Sequence, residues 1–199
     1  MKEETRVIGI DDGTARLRRR VVVGAVFRGS LWLDGVITAI IDVTKASVGR
    51  RLATMVTESK FCNELRFAML HGALLSYMKA TSLMEFSATT RLPTIAILQG
   101  SQIQVAGRIL RKAKNTVHFR LQKDLSALGI ALGAEKAVEI LRLTSREGIM
   151  PEPVRVAGLI ASAANTPKRL NRTLRHFGGL AAEPECNSAP SAEQRLHPR

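Results

Sequence analysis

The sequence predicts an α/β protein, a mixed β-sheet with helices on both faces. Three observations carry this. The first 43 residues hold three β-branched apolar runs separated by turn residues, so three strands precede any helical period. From residue 46 the apolar positions move to helical spacing and then alternate with short strand-like runs. The chain of 199 residues is 45% apolar and 24% charged, the balance of a chain that buries a core.

Arg6-Val7-Ile8-Gly9-Ile10 is the first run, stopped by the turn chemistry of Asp11-Asp12-Gly13. The second, Val21 to Phe27, ends at Arg28-Gly29-Ser30. The third, Leu31 to Val43, is either buried on both faces or bent at Asp34-Gly35. So short a connection makes strands two and three an antiparallel hairpin. Leu52, Met55, Val56 and Phe61 then fall near helical spacing, with Arg50 and Arg51 on another face. Leu65 to Leu70 is a fourth strand closed by His71-Gly72, and Leu74 to Phe86 reads as one helix. Leu92 to Leu98 is a strand, Gln102 to Lys112 a helix, Asn115 to Leu121 a short strand and Glu135 to Arg146 a helix. Pro151-Glu152-Pro153 sets an extended turn before a last helix from Val154 to Ala164. The order β-β-β-α-β-α-β-α is that of the ribonuclease H-like fold. Residues 1–180 form the expected single domain; residues 181–199 have no apolar period and are expected to be a disordered tail.

Composition narrows the function. No apolar run approaches the roughly 18 residues of a membrane span, and the N-terminus does not read as a signal peptide. Only Cys62 and Cys186 are present, which supports neither a disulfide framework nor a cysteine zinc site. A cytoplasmic protein is expected. Lys and Arg number 30 against 17 Asp and Glu, a net charge of +13. The cations cluster: Arg16, Arg18, Arg19 and Arg20; Arg108, Arg111, Lys112 and Lys114 in a stretch without acids; Lys168, Arg169, Arg172 and Arg175 after the last helix. Such clusters fit a phosphate backbone, and DNA is the expected partner, with Arg108, Arg111, Lys112 and Lys114 as its contacts. Aromatic residues, at 4%, are too few for a stacking platform for single strands.

The candidate chemistry lies at strand ends. Asp11 and Asp12 end the first strand, at the carboxyl edge where open α/β sheets bind ligands. Adjacent side chains point to opposite faces, so at most one of them enters a site; the other reading is plain turn chemistry. Asp42 ends the third strand and is a second candidate metal ligand beside Asp11. Asp34 reads as a turn or bulge residue. His71 ends the fourth strand and is either a structural histidine or part of the site.

At several points the chain resembles a known family. The residues are Arg6-Val7-Ile8-Gly9-Ile10-Asp11-Asp12, Val23-Gly24-Ala25-Val26-Phe27-Arg28-Gly29, Trp32-Leu33-Asp34-Gly35 and, most specifically, Pro151-Glu152-Pro153-Val154-Arg155-Val156-Ala157. Together with Ser59-Lys60-Phe61, Leu65-Arg66 and Leu92-Pro93 they resemble the archaeal endonuclease dU family, itself similar to endonuclease V, over roughly residues 5 to 165. The resemblance implies a metal-dependent endonuclease nicking deoxyuridine-containing DNA. It would use Mg²⁺ or Mn²⁺, with Asp11, Asp12, Asp42 and His71 around the catalytic centre and Asp11 and Asp42 on the metal. The alternatives are a non-catalytic nucleic-acid binder on the same fold and a structural or interaction protein whose positive charge is incidental. The family's aspartate at the fourth strand end is His71 here, those leading into its first helix are Thr44 and Ser47, and a family histidine is Gly158. The aspartate changes remove carboxylates from a site that would hold two hard cations about 3.5–4 Å apart.

Overall fold

A computed structural model describes residues 4–14, 17–45, 47–104, 116–146 and 150–166. Seven strands form one sheet: β1 (Arg6–Asp11), β2 (Arg19–Arg28), β3 (Trp32–Asp42), β4 (Phe67–Leu70), β5 (Thr94–Gln99), β6 (Thr116–Gln122) and β7 (Leu125–Ile130). Their spatial order is β3-β2-β1-β4-β5-β7-β6. β1 is antiparallel to β2 and parallel to β4, so the hairpin and the fourth strand flank it. Among the described residues the helices are α1 (Val48–Thr57), α2 (Leu74–Tyr77), α3 (Ala80–Thr90), α4 (Ala134–Thr144) and α5 (Glu152–Ala164).

The inner strands are buried on both faces, and their alternate residues supply two cores. Ile8, Ile10, Leu70 and Ala96 pack with Leu52 and Val56 of α1 and Leu83 and Phe86 of α3. Val7, Met69, Ile95 and Ile97 pack on the opposite face with Ile140 of α4 and Val154 of α5. Ala157 and Ala161 extend α5 over Val23, Ala25 and Phe27 of β2. Gly9 permits this: a Cβ there would run into the backbone of Pro153. Helices on both faces follow directly from the two-sided burial.

Three details differ from the sequence reading. β3 is an edge strand, exposed at alternate positions, rather than buried on both faces. Its bend is a bulge: Val26 pairs with Gly35 and Phe27 with Leu33, leaving Asp34 out of register. There Asp34 accepts Arg6 Nε at 2.7 Å and Arg28 Nε at 2.8 Å, tying three strands together. The single helix expected from Leu74 to Phe86 is α2 and α3, separated by extended backbone at Met78 and Lys79. Neither residue breaks helices; Met78 is buried in the core, and packing imposes the break. β7 was not anticipated, because Leu-Ser-Ala-Leu-Gly-Ile is a short, fully buried run without alternation. Most of the helix expected at Gln102 to Lys112 lies outside the described residues, as does the expected tail, residues 181–199. Among the described residues no helix is long and apolar enough to cross a membrane.

Candidate active site

Strand register brings the first two candidates together. Gly9 pairs with Met69 and Ile10 with Leu70 in the parallel β1–β4 ladder, and the His71 amide continues it by donating to the Ile10 carbonyl at 3.0 Å. Asp11 and His71 therefore come next on adjacent strands, on the α5 face that Val7 and Met69 already define. His71 Nδ1 lies 2.6 Å from Asp11 Oδ2. The other carboxylate oxygen, Oδ1, accepts the Gly13 amide at 2.6 Å. Gly158 of α5 passes directly overhead: a Cβ there would stand 3.1 Å from Asp11 Oδ2, so a residue with a side chain would cover the carboxylate. The pair opens into a crevice of about 610 Å³ at the carboxyl end of the central strand, also lined by Gln99, Gln102, Arg155 and Leu159.

Asp12 turns away from this crevice, as adjacent residues on an extended chain must. Its Oδ2 accepts Arg20 Nη1 at 2.5 Å, and its Oδ1 accepts the Leu74 amide at 3.0 Å. Both partners of the ion pair are sealed, with side-chain exposures of 0% and 1%. Arg20 also donates from Nε to the Leu17 carbonyl and lies over the Tyr77 ring, 5.3 Å from its centroid. Burial pushes the Asp12 carboxyl up, while the Leu74 amide and Arg20 pull it down; burial prevails. Gly72 turns the chain between the two carboxylates at φ +97°, where a Cβ would crowd oxygens of both.

Asp42 is not brought to the site. Thr38 aligns with Val23 and Val23 with Asp11, so Asp42 lies four residues further along and two strands across. At about 3.3 Å per residue and 4.8 Å per strand that is roughly 16 Å. There it accepts the Thr44 hydroxyl at 2.6 Å and Arg18 Nε at 3.1 Å. The Thr44 hydroxyl, then the Thr44 amide and Arg18, hold its carboxyl below the ordinary value. Arg108, Arg111, Lys112 and Lys114 lie outside the described residues.

Three participants escaped the sequence reading. Gln102 donates from Nε2 to the Gly72 carbonyl at 2.9 Å and so braces the floor of the crevice, which Gln99 also lines. Arg155 stands within the Pro-Glu-Pro-Val-Arg segment that carries the resemblance, and that was its signal. Asn165, at the end of α5, donates to the carbonyls of Asp12 (3.1 Å) and Val21 (2.8 Å) and accepts the Val21 amide (2.8 Å). It clamps the helix onto the turn that holds the carboxylates.

The donor set does not suit a pair of magnesium ions. Mg²⁺ takes oxygen ligands in octahedral geometry. The crevice contributes one carboxylate, and both of its oxygens are engaged within the protein. Among the described residues no three His, Cys, Asp or Glu side chains converge to hold a metal.

The strand order, with a carboxylate at the carboxyl end of β1, is that of the ribonuclease H-like fold. Two solved structures share the fold. One is a protein of unknown function from Archaeoglobus fulgidus, 24% identical, with a TM-score of 0.63 over 79% of this chain and 96% of that one. The other is the catalytic domain of human endonuclease V, 14% identical, with a TM-score of 0.54 over 86% of this chain and 84% of that one. Residues 3–165 match the family described as Endonuclease dU, and the chain belongs to that family. Two curated relatives come from archaea. A UPF0215 protein of Methanothermobacter thermautotrophicus is 31% identical over 180 residues, 81% of this chain and 88% of the relative. Another, from Thermococcus sibiricus, is 29% identical over 185 residues, 82% of this chain and 93% of the relative.

Proposed function

We propose that the chain is an endonuclease that nicks deoxyuridine-containing DNA at the crevice above Asp11. The observation that carries this is the Asp11–His71 pair, 2.6 Å apart on adjacent central strands and open to a cavity large enough for a nucleotide. Family membership and the basic composition support DNA as the substrate. Hydrolysis of a phosphodiester needs a group to take a proton from the attacking water. Asp11 holds Nδ1 of His71 and so orients the ring, leaving Nε2, which has no partner among the described residues, to accept that proton. Extrusion of the damaged base into the crevice supplies lesion choice, since unpairing costs least at a damaged position. The donor set supports no step through a metal ion, and metal dependence is left to the assay.

A non-catalytic nucleic-acid binder is the second reading. What favours it is the engagement of both Asp11 oxygens inside the protein. One assay separates the two: nicking of a deoxyuridine-containing duplex, with undamaged duplex as control, in chelator, Mg²⁺ and Mn²⁺. The wild type is expected to nick the damaged duplex, and Asp11→Asn to lose about 100-fold or more. No cleavage by the wild type in any condition supports the binder. Undiminished cleavage by Asp11→Asn places the chemistry elsewhere.

A further inference from the structure

We propose that a second groove, between the β2–β3 end of the sheet and the start of α1, binds phosphates of the nucleic-acid backbone. The inference rests on the reading of DNA as substrate and assigns contacts that the crevice does not contain. The groove, about 540 Å³, is lined by Arg18, Arg19, Asp42, Lys45, Ser47 and Arg51, with Ile40. Four cations thus face one carboxylate. That carboxylate is already committed: Asp42 is bonded to Arg18 and Thr44 and is only 14% exposed. Arg19, Lys45 and Arg51 are exposed and form no ion pair with any described residue. Three uncompensated charges around one cavity repel one another, and a polyanion relieves that repulsion most when it threads past all three.

Position distinguishes this groove from cations elsewhere on the surface. β1 and β3 run parallel, each being antiparallel to β2, so Asp11 and Asp42 both stand at the carboxyl end of the sheet. The groove and the crevice open at that same end, roughly 16 Å apart by strand register. A duplex strand carries a phosphate about every 3.4 Å of axis, so a backbone leaving the crevice reaches the groove within about five nucleotides. Its cations come from three elements, β2, the β3–α1 connection and α1, which spreads them along a path rather than around one point. That spacing fits a chain of phosphates better than a single free anion.

The test is the salt dependence of binding to a labelled deoxyuridine-containing duplex, read by fluorescence anisotropy. The groove variant is Arg19→Ala/Lys45→Ala/Arg51→Ala; the control variant, Lys60→Ala/Arg66→Ala/Lys136→Ala, removes the same charge elsewhere. The groove variant is expected to bind about tenfold or more weakly and to lose about 2–3 units of log–log salt slope, at roughly 0.9 per phosphate contact. The control is expected to keep most of both. Equal losses in the two variants overturn the groove as a distinct site. So does saturation by inorganic phosphate that leaves duplex binding unchanged. Lys45→Glu/Arg51→Glu, which leaves the sheet untouched, repeats the test if the first variant melts early. A wild type that binds no duplex at low salt overturns the DNA reading itself, a result distinct from a wild type that binds and a groove variant that binds equally.

Discussion

Asp12 and Arg20 form an ion pair at 2.5 Å from which solvent is excluded on both sides. The pair stands directly behind the crevice, fastening the turn after β1 to the start of β2 and, through the Leu74 amide, to α2. Its consequences appear in stability.

Arg20→Met leaves the Asp12 carboxyl buried without its partner, and the expected loss is about 3–5 kcal/mol in urea unfolding. Asp12→Asn/Arg20→Met removes both charges while keeping an acceptor for the Leu74 amide, and should recover most of that loss. A double variant as unstable as the single one would show that the pair stabilises through its charges and not merely by mutual neutralisation.

His71→Asp sets two carboxylates side by side on β1 and β4. A divalent cation then gains oxygen donors where the imidazole offers none. Mn²⁺ is expected to stabilise this variant by at least about 1 kcal/mol in thermal melts and to leave the wild type nearly unchanged. An equal shift in both proteins would mean that the wild-type crevice already holds the ion.

Gly72 adopts φ +97°, and a Cβ on it would come within 2.5 Å of Asp11 Oδ1. Gly72→Ala therefore combines backbone strain with displacement of the carboxylates, for a loss of at least about 2 kcal/mol by chemical denaturation. Cleavage should fall with it. Wild-type stability in this variant would contradict the tight turn.

Asp34 contributes a pH dependence that can be isolated by substitution. Partial burial works against its ionisation, but hydrogen bonds from Arg6 and Arg28 outweigh it and hold the carboxyl below the ordinary 3.8. A depressed carboxylate stabilises the fold fully above its unfolded pKa, and that contribution fades as pH falls through the folded one. Wild type should therefore melt above Asp34→Asn at neutral pH, with the gap closing on acidification below about pH 4. A gap independent of pH would assign the effect to packing at the bulge.

Much of this was legible along the chain. The β-branched runs, the change of period at residue 46 and the Pro-Glu-Pro segment placed β1 to β5 and α5, because those signals depend on local periodicity and turn chemistry. Asp11 and His71 were also legible as strand ends. β7 was not, since a strand buried on both faces has no alternation to read, and Ser and Gly weaken its β signal.

Only the tertiary structure assigned the acids their work. Asp11, Asp12 and Asp42 look alike in sequence, each an aspartate at the end of an apolar run. Pleat parity sends Asp11 into the crevice and Asp12 into the core beside Arg20, and the β2–β3 register carries Asp42 beyond reach of both. The fate of each carboxylate depends on which strands adjoin it and on which face it lies. Those are long-range relations, fixed by pairing between residues far apart in the chain, and local periodicity does not encode them.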